Sequence, residues 1–281
     1  MPLKGMDRNY FAKLIIERLE SENIDSLKKK YACSGPINHL VIDNLFPTNY
    51  IIQIKDCFPP ETNLYRLKGL QENKFVGIKF DQSQKIIEEC LYSFQDKRVI
   101  SLVSKITDIT DLKGDEELYA GGISSMSYGC FLNPHIDNSH DRLRKNYRRL
   151  NLLYYVNEEF NKFDGGELAL FNNGIRKKPK LINCRFNRLV IMRTDNRSLH
   201  AVNPIKSKQK IRKCISNYYF SEKSPLKKDY YHSTSFRGFP NEILKDVYLK
   251  SSGSIRTSIK FLTGNFFGKV INGNHYKGVR K

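Results

Sequence analysis

The stretch LNLLYYVNEEFNKFDGGELALFNNG, residues 150–174, carries the pattern that decides the fold. Its two apolar runs, LNLLYYVN and GELALFNN, have the length of single strands and contain many aliphatic and aromatic residues. FDGG at 163–166 and FNNG at 171–174 have the glycine, asparagine and aspartate composition of turns. Short strands separated by turns in this way predict an antiparallel sandwich or barrel.

The same pattern of short apolar runs separated by turn residues extends on both sides of this stretch, from about residue 119 to residue 221. Further strand-length runs are GGISSMSYGCFL, RLVIMRTD and KCISNYYFS. Because each run is short and is followed by turn residues, the region reads as several strands in series. The predicted fold class is therefore mainly β with flanking helices.

The segment before this region is helical in pattern. NYFAKLIIERLESENIDSLKKKY, residues 9–31, predicts an opening helix, since apolar side chains recur on one helical face. SGP at 34–36 interrupts the pattern. INHLVIDNLFP at 37–47 then predicts a strand that ends at a proline.

Composition divides the chain into three parts. Helical patterns recur around 48–57 and 82–106, within the main domain, and a basic helical pattern returns after the last strand. We therefore predict an N-terminal helical extension (1–36), a β domain (37–225) and a basic helical C-terminal extension (226–281). The last part also contains TSFRGFP, for which the sequence indicates no role.

The chain is strongly basic. Its 281 residues are 40% hydrophobic, which suffices for a core, and they carry a formal net charge of +19. Residues 223–281 alone contain twelve Lys and Arg against three Asp and Glu. Such a balance favours an anionic partner such as nucleic acid, an acidic glycan or a membrane surface. A bias in base composition towards Lys, Asn and Ile is the alternative explanation, and both stay open here.

The cysteines and the N-terminus bear on the compartment. The six cysteines form no C-x-x-C pair, which argues against a zinc ribbon or finger. The sequence has no apolar run of about 20 residues, and its first residues lack the pattern of a secretory signal. We therefore expect no membrane span, free thiols and a cytoplasmic location.

A possible metal site lies in NPHIDNSHD, residues 133–141. On a strand, His135 and Asp137 point to the same face and can reach one ion. An iron site with two histidines and one carboxylate needs one more imidazole, for which His200 and His232 are available. Two other polar residues of the stretch are expected to be solvated instead: His140 and Asp141.

The order of motifs after this pair is more specific than the pair itself. HIDN, LLYYVN, GGELALF, RLVIMRTDNRSLHAVNP and RKCISNYYF follow one another between residues 119 and 221. In order and spacing they resemble the prolyl 4-hydroxylase-like branch of the iron(II)/2-oxoglutarate-dependent dioxygenases. The resemblance implies a double-stranded β-helix, or jelly roll. It also implies His135, Asp137 and His200 as the iron ligands.

The same resemblance implies a site for 2-oxoglutarate. Arg212 matches the basic residue that binds the distal carboxylate, and Tyr155 matches a tyrosine that contacts the same molecule. Arginine suits this role because its planar fork pairs with a carboxylate through two hydrogen bonds. Strand alternation places Ser216 on the same face as Arg212, where it offers a hydroxyl group. Lys210 has the same parity and is the rival to Arg212.

The resemblance implies an enzyme that uses Fe(II), 2-oxoglutarate and O2, with ascorbate as a candidate reductant. It would hydroxylate an unactivated C–H bond and release succinate and CO2. The basic segment 139–149 would favour an acidic or phosphorylated substrate if it lined the mouth of the site. A solvated basic loop is the alternative.

The substrate itself stays open. Resemblance to prolyl hydroxylases favours peptidyl or free proline, and a small molecule or sugar is the alternative within the enzyme class. From a different class, the chain could be a non-catalytic protein that binds nucleic acid on a jelly-roll scaffold.

Overall fold

The computed structural model describes residues 6–77, 85–115, 118–226 and 228–251. Two helices open this part of the chain, α1 (Arg8–Glu20) and α2 (Ile24–Ala32). The sequence predicted one helix here. Asn23 separates the two because its side chain accepts a hydrogen bond from the backbone N of Ser26 at 3.0 Å and thus caps a new helix.

Three further helices precede the β-rich region. They are α3 (Thr48–Asp56), α4 (Lys85–Ser93) and α5 (Lys97–Thr107), in agreement with the predicted helical segments. With α1 and α2 they bury aliphatic and aromatic side chains against one face of the sheet. This packing makes the helices the support of the β domain, since the apolar stripe of each helix must be covered.

Five strands form the sheet against which the helices pack. In spatial order they are β1 (His39–Asp43), β9 (Arg188–Arg193), β6 (Tyr147–Tyr155), β11 (Arg212–Ser221) and β4 (Gly122–Met126). Every pairing among them is antiparallel. The strand predicted within 37–47 is β1, at the edge of this sheet.

A second set of strands faces the first. In spatial order they are β5 (Phe131–Ile136), β10 (His200–Val202), β7 (Leu168–Leu170) and β8 (Lys180–Ile182). The strand β3 (Glu72–Val76) pairs with both β4 and β5 and so joins the two sheets along one side, while β2 (Tyr65–Lys68) pairs with β3. The result is the predicted jelly roll, a double-stranded β-helix with flanking helices.

Alternation along the central strands separates two hydrophobic cores. On β6, Leu152 and Tyr154 face the helices, whereas Leu153 and Tyr155 face the space between the sheets. On β11, Ile215 faces the helices and Cys214 faces the inner space. The predicted parity of both strands is confirmed, and the inner space is where the functional side chains lie.

The described part of the C-terminal region packs on the second sheet. It contains the strand β12 (Ser235–Phe236), which pairs with β5, and a helical segment at 243–251. The ion pair between Arg237 and Asp246, 2.6 Å, ties this helical segment to β12. The further basic helical pattern that the sequence predicts beyond residue 251 lies outside the described residues.

Within the described ranges, no helix combines the length and the apolar composition needed to cross a membrane. All six cysteines are free thiols, and Cys90, Cys130, Cys184 and Cys214 are buried.

Candidate active site

His135, Asp137 and His200 meet between the two sheets. Their ligand atoms all lie within 4.8 Å of one another, and no other such group occurs among the residues that the structure describes. Nε2 of His135 is 3.6 Å from Oδ1 of Asp137, and Nε2 of His200 is 3.9 Å from Oδ2. Antiparallel pairing of β5 with β10 brings the two histidines directly opposite each other.

Both imidazoles are oriented by the backbone. Nδ1 of His135 is 2.9 Å from the carbonyl oxygen of Asn133, and Nδ1 of His200 is 2.8 Å from that of Ser198. A carbonyl oxygen can only accept, so Nδ1 carries the proton of each neutral ring and donates it. The lone pair is therefore on Nε2, which points towards Asp137.

Burial sets the charge of these groups. Burial and the neighbouring ring of His135 lower the pKa of His200 to about 4, so this imidazole is neutral at pH 7. Burial alone would raise the pKa of the Asp137 carboxyl. The Arg148 guanidinium and the two imidazoles outweigh it and hold that pKa well below its usual range. The site thus presents the Nε2 atoms of two imidazoles and one carboxylate.

The donor set fits a divalent transition metal. Oδ2 of Asp137 is buried and has no hydrogen-bond partner within the described residues, so the described protein groups do not fully satisfy the carboxylate. Two imidazoles and one carboxylate form the set that binds non-haem Fe(II) and leaves three positions for other molecules. These three residues would hold the ion.

Arg212 lies deeper in the same space. It is 3% exposed, and its Nη2 donates to the hydroxyl oxygen of Tyr155 at 3.3 Å. Its Nε has no hydrogen-bond partner among the described residues, and the other side chains that contribute to its environment are Met126, Cys184 and Cys214, none of them acidic. A buried cation without an anion is costly. The carboxylate of 2-oxoglutarate fits this position.

Lys210, the rival to Arg212, lies elsewhere. Its ammonium group donates to the backbone carbonyl of Glu159 and is 3.5 Å from a carboxylate oxygen of Asp164. With these partners the lysine has no unmatched charge to offer an inner ligand. The structure therefore separates two residues that the sequence placed on the same face.

The glycine pair between β6 and β7 supports Arg212. Gly165 and Gly166 have φ of +75° and +77°, which confirms the predicted turn. A Cβ on Gly166 would lie 2.6 Å from Cδ1 of Ile205 and 3.5 Å from Cδ of Arg212. The turn thus passes directly against the arginine and limits the room around its side chain.

The other polar candidates do not join the metal ligands. His232 lies on the segment beside Asn138 and Ser139, and its Nδ1 is 3.3 Å from the carbonyl oxygen of Ser233. His140, which the sequence was expected to leave solvated, is buried, and its ring packs on Tyr147 with centroids 4.3 Å apart. Ser216 is half-buried on the inner face, its hydroxyl 3.6 Å from Sγ of Cys214. Asp141 accepts hydrogen bonds from the backbone N of Lys145 and from the side chain of Asn146.

Two residues at the site had no predicted role in it. Phe236 of β12 stacks on the ring of His135, with centroids 5.3 Å apart and planes 24° apart. Phe236 belongs to TSFRGFP, so this stretch packs against the metal site. The second residue is Arg148, whose Nη1 is 3.5 Å from Oδ2 of Asp137. The sequence placed it in a basic segment with four other cations and gave no sign of its burial.

Comparisons with known proteins agree with this geometry. Fold and donor set together define the class of non-haem iron oxygenases. Residues 121–221 match the family model described as the 2OG-Fe(II) oxygenase superfamily. This match, together with the fold and the donor set, identifies a 2-oxoglutarate-dependent dioxygenase domain that uses Fe(II), 2-oxoglutarate and O2. The search of curated protein sequences returned no match.

Solved structures share the fold at low sequence identity. A prolyl 4-hydroxylase from Pseudomonas putida is 14% identical with a TM-score of 0.53, covering 72% of this chain and 100% of its own. A prolyl 4-hydroxylase from Phytophthora capsici is 18% identical with a TM-score of 0.51, and the match covers 95% of this chain and 81% of the hydroxylase. The α-ketoglutarate-dependent epimerase SnoN of nogalamycin biosynthesis is 8% identical with a TM-score of 0.50, and the match covers 76% of this chain and 85% of the epimerase.

Proposed function

We propose that this dioxygenase hydroxylates an unactivated C–H bond of its substrate, with His135, Asp137 and His200 as the ligands of Fe(II). One observation carries the proposal: two Nε2 atoms and a carboxylate converge in a buried space that also contains Arg212, whose Nε has no hydrogen-bond partner among the described residues. A binding protein on a jelly-roll scaffold would gain nothing from burying these groups together, because each costs free energy without its ligand.

Arg212, Tyr155 and Ser216 are the proposed contacts of 2-oxoglutarate. Arg212 and Tyr155 are already hydrogen-bonded to each other and buried, so their donors are fixed before the ligand arrives. Arg212 is proposed to bind the distal carboxylate through its fork, and the Tyr155 hydroxyl to add one hydrogen bond. Ser216 is supported only by its position on the inner face of the same strand.

When bound, Fe(II) and 2-oxoglutarate supply the reaction with O2 that yields succinate, CO2 and a hydroxylated substrate. The chain contributes orientation and exclusion of water. The Asn133 and Ser198 carbonyls accept from Nδ1 of His135 and His200, which fixes the tautomer of each neutral ring that has its lone pair on Nε2. The resemblance implies a hydroxylase, since halogenating relatives have a small residue in place of the carboxylate that Asp137 provides here.

A peptide, with a prolyl residue as the first choice, is the proposed substrate. The support is the occurrence of prolyl 4-hydroxylases among the structures that share the fold. A small molecule or sugar is the alternative, and an epimerase of the same fold makes it worth testing.

The proposal includes the cytoplasmic location expected from the sequence, which suits six free cysteines.

The decisive experiment measures succinate. The protein is incubated with Fe(II), 2-oxoglutarate and ascorbate, and we expect slow succinate formation even without substrate. Formation should fall to background in His135→Ala and Asp137→Ala. Undiminished succinate in these variants would refute the ligand assignment.

A second measurement addresses the substrate. Peptide and metabolite pools are incubated with the active enzyme and searched by mass spectrometry for products heavier by one oxygen atom. A hydroxylated peptide supports the first choice, and a hydroxylated metabolite supports the alternative. Nucleic-acid affinity with a steep salt dependence, without any succinate, would favour the non-catalytic binding protein instead.

A further inference from the structure

Arg148 is fixed beside the carboxylate of Asp137 by contacts on several sides. It lies on β6, is 5% exposed, and stacks its guanidinium 4.3 Å from the ring centroid of Tyr218. Its backbone N donates to the carbonyl oxygen of Ser139, 2.8 Å away, two residues after Asp137. The backbone and the side chain of Arg148 therefore both contact the segment that carries the carboxylate.

The guanidinium approaches one oxygen of Asp137 in particular. Nη1 of Arg148 is 3.5 Å from Oδ2, and Asp137 is its only acidic neighbour within ion-pair distance in the described ranges. Arginine stays protonated in proteins, so this is a permanent charge. A permanent cation next to a metal ligand lowers the attraction of the site for a dication. The burial of Arg148 beside Asp137 therefore needs an explanation other than tighter metal binding.

We propose that Arg148 is a positioning residue that keeps Oδ2 of Asp137 from becoming a second metal ligand; the inference rests on the proposed function. A carboxylate can bind a metal through one or both oxygens. Three open positions remain only when it uses one. By attracting Oδ2 through this 3.5 Å charge contact, Arg148 preserves the position that 2-oxoglutarate or O2 must occupy, at some cost in metal affinity.

The inference predicts that metal affinity and 2-oxoglutarate affinity respond differently to the loss of Arg148. In Arg148→Met both carboxylate oxygens are free and the repulsive charge is gone, so Mn(II) should bind as tightly as in the wild type or more tightly. The affinity of the Mn(II)-loaded protein for 2-oxoglutarate should fall at least fivefold, because a coordination position is lost. Arg148→Lys keeps the charge without the planar fork and should fall between the two.

The experiment uses calorimetric titration of the full chain, first with Mn(II) alone and then with 2-oxoglutarate. Arg149→Met is the matched control: Arg149 is the next residue, but its guanidinium donates to the Ser221 hydroxyl at 2.8 Å and to the Lys223 carbonyl. We expect both affinities of this control to equal those of the wild type within twofold.

Two outcomes would overturn the inference. The first is that 2-oxoglutarate binds equally well to the wild type, Arg148→Met and Arg148→Lys. The second is that the loss of Arg148 weakens Mn(II) and 2-oxoglutarate binding in parallel, as a purely structural residue would. Failure of the wild type to bind Mn(II) would instead refute the proposed function, so the two failures are distinguishable.

Discussion

At the scale of single residues, His200 and His232 are the two imidazoles that could complete the pair of His135 and Asp137. Their surroundings differ. His200 is 3% exposed, with Nε2 3.9 Å from Oδ2 of Asp137, whereas His232 stands outside the group of converging ligand atoms. The two residues therefore form a natural pair of test and control.

We expect His200→Ala to reduce Mn(II) affinity at least a hundredfold, because one of the three proposed protein ligands is lost. His232→Ala should change it less than threefold. Calorimetric titration with Mn(II) at neutral pH measures both. Equal losses in the two variants would mean that the third ligand has been misassigned.

Arg212 and Lys210 form a second pair of this kind. Arg212→Lys removes the planar fork while keeping the charge, and we expect at least tenfold weaker binding of 2-oxoglutarate, since one hydrogen bond to a charged group contributes about 1.5–3 kcal/mol. Lys210→Ala, at a side chain already paired with Asp164 and the carbonyl of Glu159, should leave it unchanged. Titration of the Mn(II)-loaded proteins compares them, and a larger loss in the Lys210 variant would contradict the assignment.

At the scale of elements, the turn before β7 determines how closely the chain approaches Arg212. Gly166 has φ +77° and would place a Cβ within 2.6 Å of Ile205. Gly174 has φ +86° with no atom within 4 Å of a Cβ. Both glycines require the left-handed conformation, but a methyl group at Gly166 also meets packed atoms.

Gly174→Ala should therefore cost about 1–2 kcal/mol, the price of a left-handed non-glycine residue. Gly166→Ala should lose more than this and also bind 2-oxoglutarate more weakly, because Ile205 and Arg212 must shift. Urea unfolding gives the two free energies, and titration gives the affinity. Identical free energies of unfolding would show that the contact with Ile205 relaxes without cost.

Elements also mark where sequence reasoning succeeds. Alternate residues of β6 and β11 point to opposite faces, because side chains along a strand have a period of two. The inner position of Tyr155 and Arg212 could therefore be predicted from the amino-acid sequence alone. The break at Asn23 could have been found as well, because asparagine is a strong helix N-cap. The strand β12 could not, since two residues carry no periodicity and its pairing with β5 spans about a hundred residues of chain.

At the scale of the whole molecule, side-chain environment is what the sequence leaves undetermined. Arg142 and Arg148 occur in the same basic segment, yet Arg142 is exposed and Arg148 is buried against Asp137. Composition does not distinguish the two arginines. Their burial depends on the shift in register between β6 and β11 near Arg148 and on the turn that follows Asp137. A net charge of +19 therefore includes at least two cations, Arg148 and Arg212, that are buried in the inner space rather than exposed on the surface.

The same inner site links ligand binding to the stability of the entire fold. The proposed metal ligands lie on or next to β5 and β10 of the second sheet, whereas Arg212 and Tyr155 lie on β11 and β6 of the first, so a co-substrate that contacts both the ion and Arg212 would hold the sheets together. Mn(II) and 2-oxoglutarate, each at about a hundred times its Kd, should each stabilise the folded state by about 2.7 kcal/mol. For a domain of this size each should raise Tm by roughly 5–10 °C.

Differential scanning calorimetry with Mn(II), with 2-oxoglutarate and with both tests this expectation. The metal-dependent part of the shift should vanish in Asp137→Ala, which lacks the proposed carboxylate ligand. 2-Oxoglutarate alone should give a smaller shift than it gives after Mn(II), because only Arg212 and its neighbours then bind it. Equal shifts in the wild type and in Asp137→Ala would mean that Mn(II) binds elsewhere and that the inner site does not couple the two sheets.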